Sequence, residues 1–212
     1  MKEIITIFES KSKTYKNPIS PFGDKTFNFE TLVVTNNLQM YSIMCSNFIL
    51  NIPSILPKPI RSFRRKTDLD QYYDKTVSYI IIDLDEVKSE FAKHVILEHF
   101  KNYKCIIGES RSYDGFSNFN MKGILFTEDI PINDVKNVLA ELTMELQEYC
   151  KVDEAASRRP SLNAPMLKNN VFIDNEDGIR FKYIKKESIE KINDIKKQYL
   201  SKISDSFDLD IK

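Results

Sequence analysis

The chain has 212 residues, 42% of them hydrophobic and 29% charged, with 31 Lys+Arg against 31 Asp+Glu. This is the composition of an ordinary soluble globular protein, long enough for one large domain or for one domain with a small appendage. The zero net charge neither favours nor excludes a polyanionic partner, but it requires any basic surface to be local.

The predicted elements begin with strands at residues 2–8 and 31–36, both rich in β-branched residues. Residues 9–29 read as loop, and residues 38–50 are apolar with a periodicity that fits neither helix nor strand clearly. Pro53, Pro57 and Pro59 keep residues 51–60 from forming long regular structure. Residues 1–75 therefore form a β-rich N-terminal flank of the same domain. Its end carries Lys58, Arg61, Phe63, Arg64, Arg65 and Lys66, either a solvated basic linker or a strip that holds a nucleic-acid backbone and stacks a base.

From residue 76 the pattern sharpens. Residues 77–84 form a strand apolar on both sides, hence central. Residues 86–101 follow as a helix, with Val87, Phe91, Val95, Leu97 and Phe100 near helical spacing. Strands at 103–109 and 119–127 are joined by the polar segment 110–118. A second helix covers 132–149, with Pro131 and Asp134 at its first turn and Val135, Val138, Leu139, Leu142, Leu146 and Tyr149 on one stripe. A fourth strand starts near 151–153. The order β-α-β-β-α-β is the ferredoxin-like, RRM-like split βαβ arrangement, so the predicted class is α/β (α+β) with a core over 76–165. Residues 166–212 add a hairpin (strands 171–174 and 179–183 around the turn 174–178), a charged helix at 185–203 and a frayed end.

The chemistry is concentrated at the end of the first core strand. Asp83 and Asp85 are spaced i, i+2, so on a strand both carboxylates project from one face. Side by side they repel unless a cation lies between them, and oxygen-only ligands suit Mg²⁺ or Mn²⁺. The same residues also fit a strand that simply ends in a polar turn. Asn120 and Lys122 share a face of the third strand by the same spacing, and Asp153 is placed to add a third carboxylate. Ser110, Arg111 and Ser112 offer hydroxyls and a guanidinium suited to phosphate oxygens, and Arg158 and Arg159 follow Asp153 closely. His94 and His99 lie on different faces of a helix and read as structural or solvated.

No GxxxxGK[ST] loop is present, and Cys45, Cys105 and Cys150 contain no CxxC pair, so a zinc site is not expected and free thiols are. Without a signal-peptide core or an apolar run of the ~18 residues that span a bilayer, a cytoplasmic protein with no membrane partner is expected.

The set Ile-Ile-Asp83-Leu-Asp85, then Ser110-Arg-Ser with Asn118-Phe-Asn120-Met-Lys-Gly, then Lys-Val-Asp153-Glu-Ala-Ala-Ser-Arg-Arg159 resembles the archaeo-eukaryotic primase superfamily. More closely, it resembles the primase–polymerase domains of phages, plasmids and large DNA viruses. The resemblance covers residues 77 to about 165 and follows that family's order of an hDhD strand, an sxH strand and a late hD. It implies that Asp83, Asp85 and Asp153 bind two divalent cations, Mg²⁺ or Mn²⁺, for template-directed nucleotidyl transfer. It implies a triphosphate held by Ser110, Arg111, Ser112, Asn120, Lys122, Arg158 and Arg159; the basic strip upstream of that span separately offers Arg61, Arg64 and Arg65 as nucleic-acid contacts. The implied partners are single-stranded DNA, nucleoside triphosphates and a replicative helicase, in a host cytoplasm if phage-encoded. The family histidine falls at Asn120, which carries no charge.

Other readings of the same residues are a non-catalytic RRM-like single-strand-binding module, with Tyr79 and Phe119 as stacking candidates, and a palm-type nucleotide cyclase. A rolling-circle endonuclease fits poorly, since His94 and His99 are mis-spaced for a metal pair.

Overall fold

The computed structural model describes residues 3–9, 29–50, 76–153, 162–163, 166 and 170–185. The chain divides into compact units Met1–Phe181 and Lys182–Lys212, and the architecture below is that of the first. The expected helix at 185–203, apart from its first residue, lies outside the described residues, as do Arg61, Arg64, Arg65, Arg158 and Arg159.

The core begins with β4 (Thr76–Asp85) after an N-terminal group of β1 (Glu3–Glu9), β2 (Phe29–Val34), α1 (Asn37–Ser46) and β3 (Asn47–Leu50). It continues through α2 (Glu90–Phe100), β5 (Cys105–Glu109), β6 (Met121–Pro131), α3 (Val135–Leu146), β7 (Lys151–Val152) and, after the short β8 (Leu162–Asn163), β9 (Val171–Asn175). One sheet runs β7-β4-β6-β5-β9 and the other β2-β1-β3-β8. Within the first, the β4–β7, β4–β6 and β5–β6 pairings are all antiparallel. Counting the split βαβ strands from β4, the order is 4-1-3-2, the ferredoxin-like arrangement, with β9 added beyond the second strand.

Alternation along β4 assigns its residues to two faces. Ile80, Ile82 and Leu84 point one way and are 0–1% exposed. This is the face left for α2 and α3, which lie side by side: His99 meets Glu145 at 3.5 Å, and Phe91 meets Tyr149 edge-on with ring centres 6.5 Å apart. Tyr79 and Ile81 point the other way, into a cluster with Ile106, Ile124 and Phe126 of the same sheet. Ile5 and Ile7 of β1, Val34 of β2, Met40, Met44 and Cys45 of α1, and Met166 close over it. Each such side chain contributes roughly 1.5–3 kcal/mol when fully buried. The N-terminal flank is thus the second layer over the sheet. Among the described residues, this layer covers the sheet face short of the end that carries the acids.

Several local expectations are corrected. The ambiguous stretch 38–50 is α1 followed by β3. The helix expected from residue 86 starts at Glu90, because the Ser89 hydroxyl accepts from the Ala92 N–H at 3.0 Å and caps it. Its buried stripe is Ala92, Ile96 and Phe100, whereas Phe91 is 70% exposed. A 3-10 turn at Ile132–Asp134 precedes α3, which ends at Leu146; its buried residues are those expected apart from Tyr149, which lies in the turn beyond and is half-buried. The third core strand begins at Met121 rather than 119, and Asp153 follows the fourth strand rather than opening it. The second arm of the expected hairpin is not a strand. Ile179 and Phe181 make single parallel bridges to Tyr103 and Thr127, so they cross the sheet edge instead of pairing with β9.

Gly123 sits where β6 lies against Ile82 on one side and Ile107 on the other. A Cβ there would stand 2.2 Å from the Ile106 carbonyl oxygen, which is backbone and has little freedom to give way. Gly123→Ala is expected to cost about 1–3 kcal/mol of unfolding free energy in chemical denaturation, a typical overpacking penalty.

Candidate active site

The register of the sheet builds two polar rungs at the end that lies beyond the apolar cluster. In the first, Asp83 of β4 lies directly opposite Lys122 of β6, which in turn lies opposite Gly108 of β5. The pairing Leu84↔Val152 and Asp85↔Lys151 places Asp153 opposite Asp83, and the Asp153 N–H donates to the Asp83 carbonyl at 2.9 Å. In the second rung, Asp85 stands opposite Lys151, with Asn120 and Ser110 continuing the line as the Ser110 N–H donates to the Asn120 carbonyl at 3.1 Å. Asp83, Asp85 and Asp153 therefore share one face, as the i, i+2 spacing and the strand order require.

A cation already serves one of the acids. Lys122 Nζ lies 2.6 Å from Asp83 Oδ2, with side chains 10% and 17% exposed. Among the described residues, Asp85 has no such partner at contact distance. Its carboxyl is raised above the ordinary carboxylate value, first by burial and then by the charges of Asp83 and Asp153, against a smaller opposing effect of Lys122 and Lys151. The Cys150 thiol is pushed up to about 12 by burial and then by Asp85.

Asn120, at the family histidine's position, is 6% exposed and fully engaged. Its Oδ1 accepts from the Val87 N–H at 3.1 Å, while Nδ2 donates to Asp85 Oδ1 at 3.0 Å and to Ser112 Oγ at 3.0 Å. The amide thus ties the end of β4 to the β5–β6 loop and orients Asp85; it is a brace here and not a free phosphate donor. Ser110 and Ser112 share a hydroxyl hydrogen bond of 3.0 Å. Arg111 is exposed and, among the described residues, makes no hydrogen bond or ion pair.

The loop that follows is organised by Asp114. Its carboxylate accepts from the N–H groups of Phe116, Ser117 and Asn118 at 2.8–2.9 Å and from the Ser117 hydroxyl at 2.7 Å. These donors hold the carboxyl well below the usual range, the Phe116 N–H contributing most. Ser117 and Asn118 line an open cleft of about 430 Å³ beside Asp85, closed on the other side by Glu86, Lys88 and Lys151. Glu86 turns the chain out of β4 with φ of 58°, a left-handed conformation uncommon for a non-glycine residue. Lys151 pairs with Glu86 at 3.6 Å.

Sequence reasoning missed Lys88, Glu86 and Lys151. Lys151 was within reach of the same argument that found the acids, since it precedes Asp153 by two residues. Lys88 carries no such signal, because it lies in the irregular stretch between β4 and α2. The stacking candidates Tyr79 and Phe119 are buried, at 0% and 7% exposure.

All-oxygen donors on one face, one of them left with excess negative charge around it, suit a hard divalent cation in chemistry. Among the described residues no group of three or more His, Cys, Asp or Glu is gathered closely enough to hold a metal ion. The three carboxylates share a face without converging. No helix of the described residues is long and apolar enough to cross a membrane. No family model matches the chain, nor does any curated protein or solved structure.

The acids are not equivalent. Asp83 neutralises a nearly buried lysine, whereas Asp85 sits among like charges. Because the folded-state carboxyl of Asp85 is raised, its ionisation works against folding once pH exceeds the unfolded value of 3.8. Asp85→Asn is expected to raise the melting temperature at neutral pH in EDTA, with the difference vanishing as pH falls below that value. Asn120→Ala leaves the N–H of buried Val87 without its acceptor and is expected to cost about 1–3 kcal/mol in denaturant titration.

Proposed function

We propose that this chain is a metal-dependent nucleotidyltransferase of the primase–polymerase type, acting on a single-stranded DNA template. The observation that carries the reading is the placement of Asp83, Asp85 and Asp153 on one face of adjacent antiparallel strands, at one end of a split βαβ sheet. The reaction is attack of a 3′-hydroxyl on the α-phosphate of a nucleoside triphosphate, with pyrophosphate leaving. Positioning and charge stabilisation dominate such transfers, so a few acids and donors suffice.

Asp83, Asp85 and Asp153 would hold Mg²⁺ or Mn²⁺, which lowers the pKa of the attacking hydroxyl and neutralises triphosphate charge when bound. The chain's own residues supply the rest. Asn120 keeps the Asp85 carboxylate aimed, and the hydroxyls of Ser110 and Ser112 with the Arg111 guanidinium offer phosphate contacts on one side. Lys88 and Lys151 offer positive charge on the cleft side, a contribution visible only in the folded chain.

The alternative of a non-catalytic RRM-like module needs aromatic faces on the central strands. Buried Tyr79 and Phe119 do not provide them, which favours the catalytic reading. A palm-type cyclase would use the same acids, and separates from a polymerase by its independence of template.

The test is synthesis from labelled nucleotides on single-stranded DNA with Mg²⁺ or Mn²⁺, with and without primer. Product is expected only with metal and template, and Asp85→Asn, which preserves shape and the Asn120 contact, is expected to reduce it by roughly 10²-fold or more. Wild-type synthesis by that variant would exclude the site. A cyclic product from nucleotide alone would turn the assignment to a cyclase.

A further inference from the structure

Metal binding at Asp83 has an obstacle built into the fold. One carboxylate oxygen of Asp83, Oδ2, already holds the Lys122 ammonium at 2.6 Å, and the two residues are direct cross-strand partners on the central strands. An ammonium and a divalent cation a few ångströms apart repel strongly in a site this shielded from water. Both cannot occupy that oxygen.

The structure also limits where the lysine can go. Across β5 its neighbour is Gly108, and the space above Gly108 is filled: a Cβ there would lie 2.8 Å from the Asn170 carbonyl oxygen and 2.9 Å from the Met166 methyl. Along the strand toward the N-terminal layer stands the apolar cluster around Ile81 and Ile124. Among the described residues, the direction left is toward the end of the sheet, where Ser110 and Ser112 lie. The four-carbon stem of lysine, with its rotatable donors, permits such a swing without moving the backbone.

We propose that Lys122 is an exchangeable counter-ion: it neutralises Asp83 in the metal-free protein, is displaced when a divalent cation takes that carboxylate, and then presents its ammonium to the phosphates of the nucleotide. The inference rests on the metal-site reading above and adds an order to it, with cation first and nucleotide second. In the metal-free protein the lysine is occupied and contributes nothing to nucleotide binding. Lys122 is thus a positioning residue whose charge couples two binding events.

The test compares Mn²⁺ binding to nucleotide-free wild type, Lys122→Met, Lys122→Arg and Asp85→Asn, by electron paramagnetic resonance of free Mn²⁺. Binding of ATP is then measured with and without Mn²⁺. Removing the competing charge is expected to make Lys122→Met bind Mn²⁺ roughly tenfold tighter or more than wild type, while its Mn²⁺-dependent gain in ATP affinity shrinks. Lys122→Arg, which keeps the charge, is expected not to show the tighter binding. Equal Mn²⁺ affinity in wild type and Lys122→Met would overturn the exchange while leaving the metal site standing. Absence of Mn²⁺ binding in every protein, or binding unaffected by Asp85→Asn, would overturn both the site and the exchange. If Lys122→Met does not fold in EDTA, recovery of its thermal transition on adding Mn²⁺ supports the exchange, and failure to recover overturns it.

Discussion

Strand β4 must be covered on both faces, and the rest of the molecule follows from that constraint. Between Val77 and Leu84 it is a nearly unbroken apolar run, so neither face can be left to water. The two helices of the split βαβ unit cover one face. The other requires a second layer, which the N-terminal strands and α1 supply through Ile5, Ile7, Met40 and Met44. Among the described residues, that apolar layer stops short of the stretch where the strand turns polar, and the candidate site lies at that end of the sheet face.

That placement sets the electrostatics. Carboxylates beside an apolar layer lose part of their hydration, and the rungs of the sheet bring charges within a few ångströms of one another. The fold meets the demand unevenly. Asp83 is matched by Lys122, while among the described residues Asp85 touches the neutral amide of Asn120 and feels two nearby acids more than the lysines Lys122 and Lys151. The two acids therefore differ in how far their charge is compensated. The brace from Asn120 to Ser112 and the Asp114-centred loop keep the surrounding donors ordered, so the frame for a ligand exists without one.

Much of the core was legible because it depends on local period. The i, i+2 spacing of Asp83 with Asp85, and of Asn120 with Lys122, sets a shared face whatever the partners are. The α3 stripe of Val138, Leu139, Leu142 and Leu146 is strong enough to be read directly. Failures came where period is weak or a contact at a distance decides. Phe91 fitted a helical stripe, yet a start at Ser89 and packing through Ala92, Ile96 and Phe100 turned it outward. Tyr79 looked like a stacking residue because nothing local reveals that α1 and β1 lie over it.

Within the split βαβ core, the chain order of strands and helices, the common face of the acids and the basic and hydroxyl residues near them were determined by the sequence itself, through side-chain periods of 2 and 3.6 that hold within each segment. The pairing of Asp83 with Lys122, the engagement of Asn120 with Val87 and Asp85, and the closing of the sheet by the N-terminal layer were decided only by tertiary structure. Those features depend on register between strands distant in sequence, and a slip of one residue would send every one of these side chains to the opposite face.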